Sequence, residues 1–313
     1  MIHRLLTLFS CALALTSGLV WAGIPNDNFA DAKTRNIVGG RKVLIIVAQN
    51  SIVPTLFSYI DDGGLQDRMN LALQESVPLL RALVGYEFNA PLESALRPTV
   101  EKSAWLRPVD VEFSERGTRD FVLDKLDESD TRQMLLLYTK YYTDYDFAAI
   151  VVELQIGLLV RKIPKGQFRD GRLKPKYIPY QQIIRSVVRL PDPETSNRFH
   201  SEETYAKGRR ANVERWAAND GLLARRALDA GIVAVSELVS TSIELDEKQA
   251  KEWRSRRERK VETIEGVRGW VRERNEKGVL MIYAYDGAWT RIQIASDLPP
   301  SPPRSRDDVL RPQ

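Results

Sequence analysis

The chain has 313 residues, 43% of them hydrophobic and 28% charged, which is enough apolar material for one large domain or a domain with a smaller module. That mixture excludes a disordered, collagenous or multi-span membrane protein. The formal charge of +4 is a small excess within 46 basic and 42 acidic residues, so it gives no ground for a nucleic-acid partner and none is expected.

Residues 1–22 are laid out as a secretory signal. Met1-Ile2-His3-Arg4 is a short positive start, Leu5 to Val20 is an apolar run too short for a permanent span, and Val20-Trp21-Ala22 precedes Gly23 at the expected cleavage point. Cys11 is a poor lipid-attachment site, because Phe9 is bulky where a small residue is needed and little apolar sequence precedes it. The sequence therefore predicts a periplasmic or secreted chain that starts near Ala22-Gly23 and has no transmembrane span. That mature chain keeps no cysteine and one histidine, His200. It can form no disulfide and no cysteine-based metal site, and such a chain behind a short signal reads as bacterial.

Residues 23–40 read as a polar, unanchored lead-in. Lys42 to Ala48 is a continuous β-branched run, predicted as a strand buried on both faces. From Leu65 apolar residues recur at three- and four-residue steps, giving a helix that Pro78 kinks or restarts after Ser76. Residues 91–106 are again helical, Val109 to Phe113 is a short strand, and Thr118 caps a helix to Asp127. Met134 to Tyr142 and Phe147 to Arg161 form a hairpin about Thr143-Asp144-Tyr145-Asp146. In its second strand Glu153 and Gln155 alternate with apolar residues, which predicts one covered and one solvent-facing side. Tyr180 to Leu190 returns as a third strand, and Pro191 to Gly208 reads as loop. Asn219 or Asp220 then caps a helix whose buried stripe is Leu228, Ile232, Val235 and Val239. Residues 246–262 are a charged helix, three short strands follow within 263–297 as a meander docked on the main domain, and 298–313 is a Pro-rich tail. The fold class expected is α+β: helices packed on a mixed, mainly antiparallel sheet over 41–245, with the small C-terminal β-meander beside it.

Few constellations carry chemistry. Ile37-Val38-Gly39-Gly40 matches an activated trypsin-like start, but no accompanying Gly-Asp-Ser-Gly-Gly segment exists. His200, in Arg198-Phe199-His200-Ser201-Glu202-Glu203, would have to serve any triad or zinc site alone; a surface loop histidine explains it better. Asp61-Asp62, Asp144, Asp146 and Glu153 are the carboxylates available for acid–base work on a wall glycan or peptide. The nucleotide-binding glycine motifs are missing, so no cofactor and no metal is expected. Two surfaces stand out for binding. Tyr138, Tyr141, Tyr142 and Tyr145 gather at one hairpin end, where they could stack sugar rings, anchor a partner or simply pair across strands. Trp253 with Arg256 and Arg257 lies in the basic run Lys251–Lys260, suited to anionic headgroups or wall polymers, or to a solvated helix.

The buried first strand, the hairpin 134–161, the returning strand 180–190 and the helix led by Trp216-Ala217-Ala218-Asn219-Asp220-Gly221 are similar to envelope proteins of Gram-negative bacteria. They resemble the α/β domain shared by curli-secretion lipoproteins, penicillin-binding-protein activator lipoproteins and the TolB N-terminal domain, over residues 40–245. The resemblance implies a non-catalytic, protein-binding accessory role in the cell envelope and brings no catalytic residues with it. A carboxylate-dependent hydrolase of wall glycan or peptide is the alternative.

Overall fold

The computed structural model describes residues 30, 32–36, 40–49, 51–54, 65–160, 168–169, 172–173, 178–194, 202–254 and 260–299. Its frame is set by β1 (Arg41–Val47), every residue of which is buried, as the β-branched run predicts. Around it the chain builds a doubly wound half. Helices α2 (Leu65–Glu75), α3 (Val77–Ala82) and α4 (Asn89–Glu101), preceded by the short α1 (Ala32–Arg35), lead from β1 to the edge strand β3 (Pro108–Ser114). Helix α5 (Arg119–Glu128), capped by Thr118 as expected, then leads back past β1 to β4 (Gln133–Thr143). β1 pairs in parallel with both β3 and β4, and β2 (Val53–Pro54) adds to the end of β4.

From β4 the ladder turns antiparallel through β5 (Ala149–Val160) and β8 (Tyr180–Arg189), with the two-residue pair β6 (Phe168–Arg169) and β7 (Arg172–Leu173) between them in sequence. Helix α6 (Glu202–Glu244) and α7 (Glu247–Arg254) follow, then β9 (Val261–Ile264), β10 (Val267–Asn275), β11 (Gly278–Tyr283) and β12 (Trp289–Ile294). The expected meander is therefore four strands, and it does not dock as a separate module. β12 pairs in parallel with β8, so the sheet runs unbroken in the order β3-β1-β4-β5-β8-β12-β11-β10-β9. It coils strongly: Arg189 of β8 reaches Glu265 in the β9–β10 turn, three strands along, a span one side chain could not cross on a flat sheet. The chain is an α+β protein with helices packed on a mixed sheet.

Side-chain alternation sorts the core. Leu135, Leu137 and Tyr141 of β4 and Ile150 to Leu158 at even positions of β5 face α3, α4 and α6. Met134, Leu136 and Tyr138 face α5 on the other side, and further along that side Tyr142, Val151, Val187, Met281 and Ile292 form a third cluster. The hairpin expected to be covered on one side is thus covered on both. Helix α6 carries the buried stripe expected of it, with Leu228, Ile232, Val235 and Val239 at most 3% exposed. It approaches β5 closely at Gly231, where an added Cβ would lie 2.5 Å from Val152 Cγ2. Alanine there would gain about 1 kcal/mol of helix propensity but force the helix off the sheet at a cost of about 2–3 kcal/mol. Gly231→Ala is expected to lower stability by about 1–2 kcal/mol; a Tm at or above wild type would contradict the close approach.

Two loop expectations give way to order. Residues 202–208 are helical, not loop, and within the lead-in Ala32–Arg35 form a helical turn. Arg35 donates to the carbonyls of Ile243, Glu244 and Leu245, and Trp105 Nε1 also donates to Ile243, so the last carbonyls of α6 are satisfied by side chains. Arg35 and Arg41 flank the Trp105 ring at 5.2 and 5.0 Å. Arg41 is buried and, among the described residues, has no carboxylate partner; its donors go to Gln133 Oε1 and to the carbonyls of Thr34, Arg35, Trp105 and Leu106. Burial, then Arg107, pulls its pKa down.

Candidate functional site

In doubly wound sheets ligands enter between strands whose crossovers leave in opposite directions. Here that place is between the ends of β1 and β4, and it is filled. A Cβ on Gly117 would lie 2.5 Å from Ala48 Cβ and 2.9 Å from Tyr138, so the β3–α5 loop sits directly on the gap. Beside it the Gln49 amide accepts from Tyr141 N–H and donates to the Tyr141 carbonyl, standing in for a strand residue.

The four tyrosines of the hairpin do not share a surface. Period-two alternation sends Tyr138 and Tyr142 to one face and Tyr141 to the other. Tyr141 is 5% exposed and stacks on Phe88 at 4.0 Å between ring centroids. Tyr138 lies in the α5 cluster, and Tyr142, 4% exposed, donates to Glu153. Burial pushes the hydroxyls of all three up in pKa. The expectation that they form one partner-capturing patch is corrected by this burial: serine at 141 or 142 would remove a core side chain, not a surface contact. Tyr145 alone stays in the turn, half-buried.

That turn is clamped by α6. Tyr205 donates to Asp146 Oδ1 at 2.6 Å, Asn212 Nδ2 to the Asp146 carbonyl at 2.9 Å, and Trp216 Nε1 to the Phe147 carbonyl at 2.8 Å. Phe147 is held at φ 52°. Arg209, 2% exposed, pairs with Glu75 at 2.7 Å and lies over the rings of Tyr145 and Tyr205 at 4.7 and 4.6 Å. Within the same turn Asp144 accepts from Ala149 N–H and lies 3.9 Å from Arg189 Nη1.

The packed protein around Asp144 pushes its carboxyl up to about 6, against the pull of Ala149 N–H and Arg189. A folded pKa above the ordinary 3.8 means the folded state takes up the proton first. Its stabilising contribution is therefore full below pH 3.8 and lost as pH rises through 6. A quarter of the side chain meets solvent, at 26%, which moderates the effect. Asp144→Asn is expected to raise stability at pH 7 by on the order of 1–2 kcal/mol and to leave it unchanged near pH 4, read from urea midpoints at both pH values.

A buried polar group lies on the sheet face opposite α6, between α5 and the third cluster. Lys140, Glu153 and Arg185 are direct cross-strand partners on β4, β5 and β8. Glu153, expected at the surface, is 2% exposed. Its Oε2 takes Arg185 Nε at 2.6 Å and Tyr142 Oη at 3.1 Å; its Oε1 takes Lys140 Nζ at 3.0 Å and Gln155 Nε2 at 2.9 Å. Burial alone would raise this carboxyl, but Arg185 and Lys140 outweigh it and hold it down at about 2. Arg185 continues to Asp286 Oδ2 at 2.6 Å and lies over the Tyr283 ring. Tyr283 in turn meets Tyr285, 68% exposed, at 5.2 Å. A ladder of alternating sign thus runs across three strands and ends on an exposed aromatic turn.

The basic-helix residues are not brought into this arrangement. Trp253 lies on α7, and its side chain, with Arg256 and Arg257, falls outside the described residues, as does His200. Among the described residues no group of three or more His, Cys, Asp and Glu could hold a metal ion, and no helix is long and apolar enough to cross a membrane. Sequence reasoning missed Arg185, Asp286, Tyr283 and Tyr285. The register of the hairpin, which sets Lys140 opposite Glu153, was the signal available for the ladder.

No protein-family model matches the chain, and no curated protein matches it. Among solved structures it is similar to a PelC dodecamer from Paraburkholderia phytofirmans in two crystal forms. The first, a leucine-to-methionine variant, is 15% identical over 44% of this chain and 67% of that one, with TM-score 0.16. The second is 14% identical with the same coverage and TM-score 0.15. An uncharacterized protein is 10% identical over 64% of this chain and 94% of its own, with TM-score 0.17. Overlaps this slight assign the chain to no fold family.

Proposed function

We propose that this chain is a secreted, non-catalytic binding or assembly factor of the bacterial cell envelope, exported by residues 1–22. The observation that carries the reading is the state of Glu153. Both of its carboxylate oxygens are bonded twice, one by Arg185 and Tyr142 and the other by Lys140 and Gln155, so the most enclosed of the described candidate acids serves to tie β4, β5 and β8 together. What it anchors is a rigid polar face with an exposed aromatic turn, a surface suited to recognition. The segment around Trp253, Arg256 and Arg257 is proposed as a second contact, toward anionic headgroups. The resemblance to curli-secretion and penicillin-binding-protein activator lipoproteins supports the same role.

Fractionation of native cells carrying the C-terminally tagged chain tests the proposal. The expected result is a chain starting at Gly23, held on the envelope with a stoichiometric partner. Release by salt alone would assign the attachment to the basic segment, since such contacts are screened within about 8–10 Å. An intact Met1 start in the cytoplasm, or a free periplasmic chain with no partner, would overturn it.

A further inference from the structure

We infer that the face running from Lys140 through Glu153 and Arg185 to Tyr285 is a binding site for a neutral glycan. The inference rests on the binding role proposed above and names its ligand class. Three observations carry it. First, the charges alternate and cancel: Lys140 and Arg185 against Glu153 and Asp286, each joined to the next at 2.6 to 3.0 Å. A polyanion would meet two carboxylates and a polycation two bases, so neither gains the long-range attraction such ligands depend on. A neutral polyhydroxylated ligand instead meets the partly exposed Lys140 ammonium and Asp286 carboxylate, at 38% and 26%, held in place from beneath by Glu153 and Arg185, and a charged donor and acceptor make the stronger class of hydrogen bond.

Second, the array is held before any ligand arrives. Glu153 is buried and both its oxygens are bound twice, so the groups around it lose little freedom on binding. Third, the array ends at the β11–β12 turn on Tyr283 and Tyr285, tilted at 56° to one another. Tyr285 is 68% exposed and contributes little to the core. A sugar ring has an apolar C–H face and a hydroxyl edge, and an exposed phenol ring beside fixed polar groups matches both.

The test is calorimetric titration of the full purified chain with cellotetraose and N-acetylchitotetraose, both neutral, and with tetragalacturonate as the anionic comparator. Saturable binding of either neutral tetrasaccharide is expected, and the stronger of the two tells whether the ligand carries N-acetyl groups. Tyr285→Ala is expected to weaken it about tenfold or more with no change in Tm, and Lys140→Ala to weaken it less. Millimolar neutral sugar without saturable heat, affinity untouched by Tyr285→Ala, or a preference for the galacturonate would each overturn the site. A protein partner captured from the envelope alongside any of those results would leave the binding role standing and this inference refuted.

Discussion

Replacing Glu153 by alanine is expected to lower stability by about 3–5 kcal/mol, the effect of removing one member of a buried charge pair and leaving its partner unpaired. Arg185, 12% exposed, would lose its principal anion, and Tyr142 and Gln155 would each lose a hydrogen-bond acceptor. The contrast is Lys140→Ala. Lys140 is 38% exposed and water can replace it, so the loss there is expected to stay under about 1 kcal/mol. Urea denaturation of the two variants separates them. Equal, small losses would mean that the ladder is solvated and that Glu153 does not anchor the face. The carboxylate's depressed pKa adds a pH signature: its contribution is present above pH 4.5 and is lost as pH falls toward 2.

Trp216→Ala is expected to cost about 3–5 kcal/mol, as for other fully buried large-to-small aromatic changes. Trp216 is wholly buried, and its Nε1 holds the Phe147 carbonyl in a turn where Phe147 is kept at an unfavourable positive φ. Losing it should also loosen the turn, so amide exchange at residues 144–149 should accelerate more than in the centre of β5. Trp216→Phe keeps most of the packing and should restore much of the stability without restoring the exchange protection. Uniform acceleration across β4 and β5 would show that the indole only fills space.

The strands of this protein were largely legible because period-two alternation and β-branched runs survive in any context. Their arrangement was less so. The parallel pairing of β12 with β8 leaves no turn between the partners in sequence, so nothing local announces that the last four strands extend the main sheet. The first part of α6 hid because its contacts are polar: Tyr205, Arg209 and Asn212 do the work that an apolar stripe does elsewhere, and only Val213 and Trp216 mark it as buried. Asn219 or Asp220 read as a cap, followed by Gly221, because the residues that cap helices also tolerate left-handed backbone. In fact all three adopt positive φ, at 52°, 55° and 71°, and join two helical arms.

The candidate site shows the same division. Tyrosine content suggested one patch, whereas the alternation already evident in the hairpin separates Tyr141 from Tyr138 and Tyr142. Glu153 read as exposed because a polar residue in an alternating strand normally faces water. The structure instead surrounds it with partners from both neighbouring strands, an arrangement that needs the third strand in place to be visible.

The most direct measurement is retention on envelopes. Purified chain, wild type and Tyr285→Ala, would be added back to salt-washed envelopes from cells lacking the gene, and the bound fraction measured across concentration. The account predicts saturable retention of the wild type and its loss in the variant, with the two chains equally stable. Equal retention of both, or none of either, would contradict a recognition role for this face.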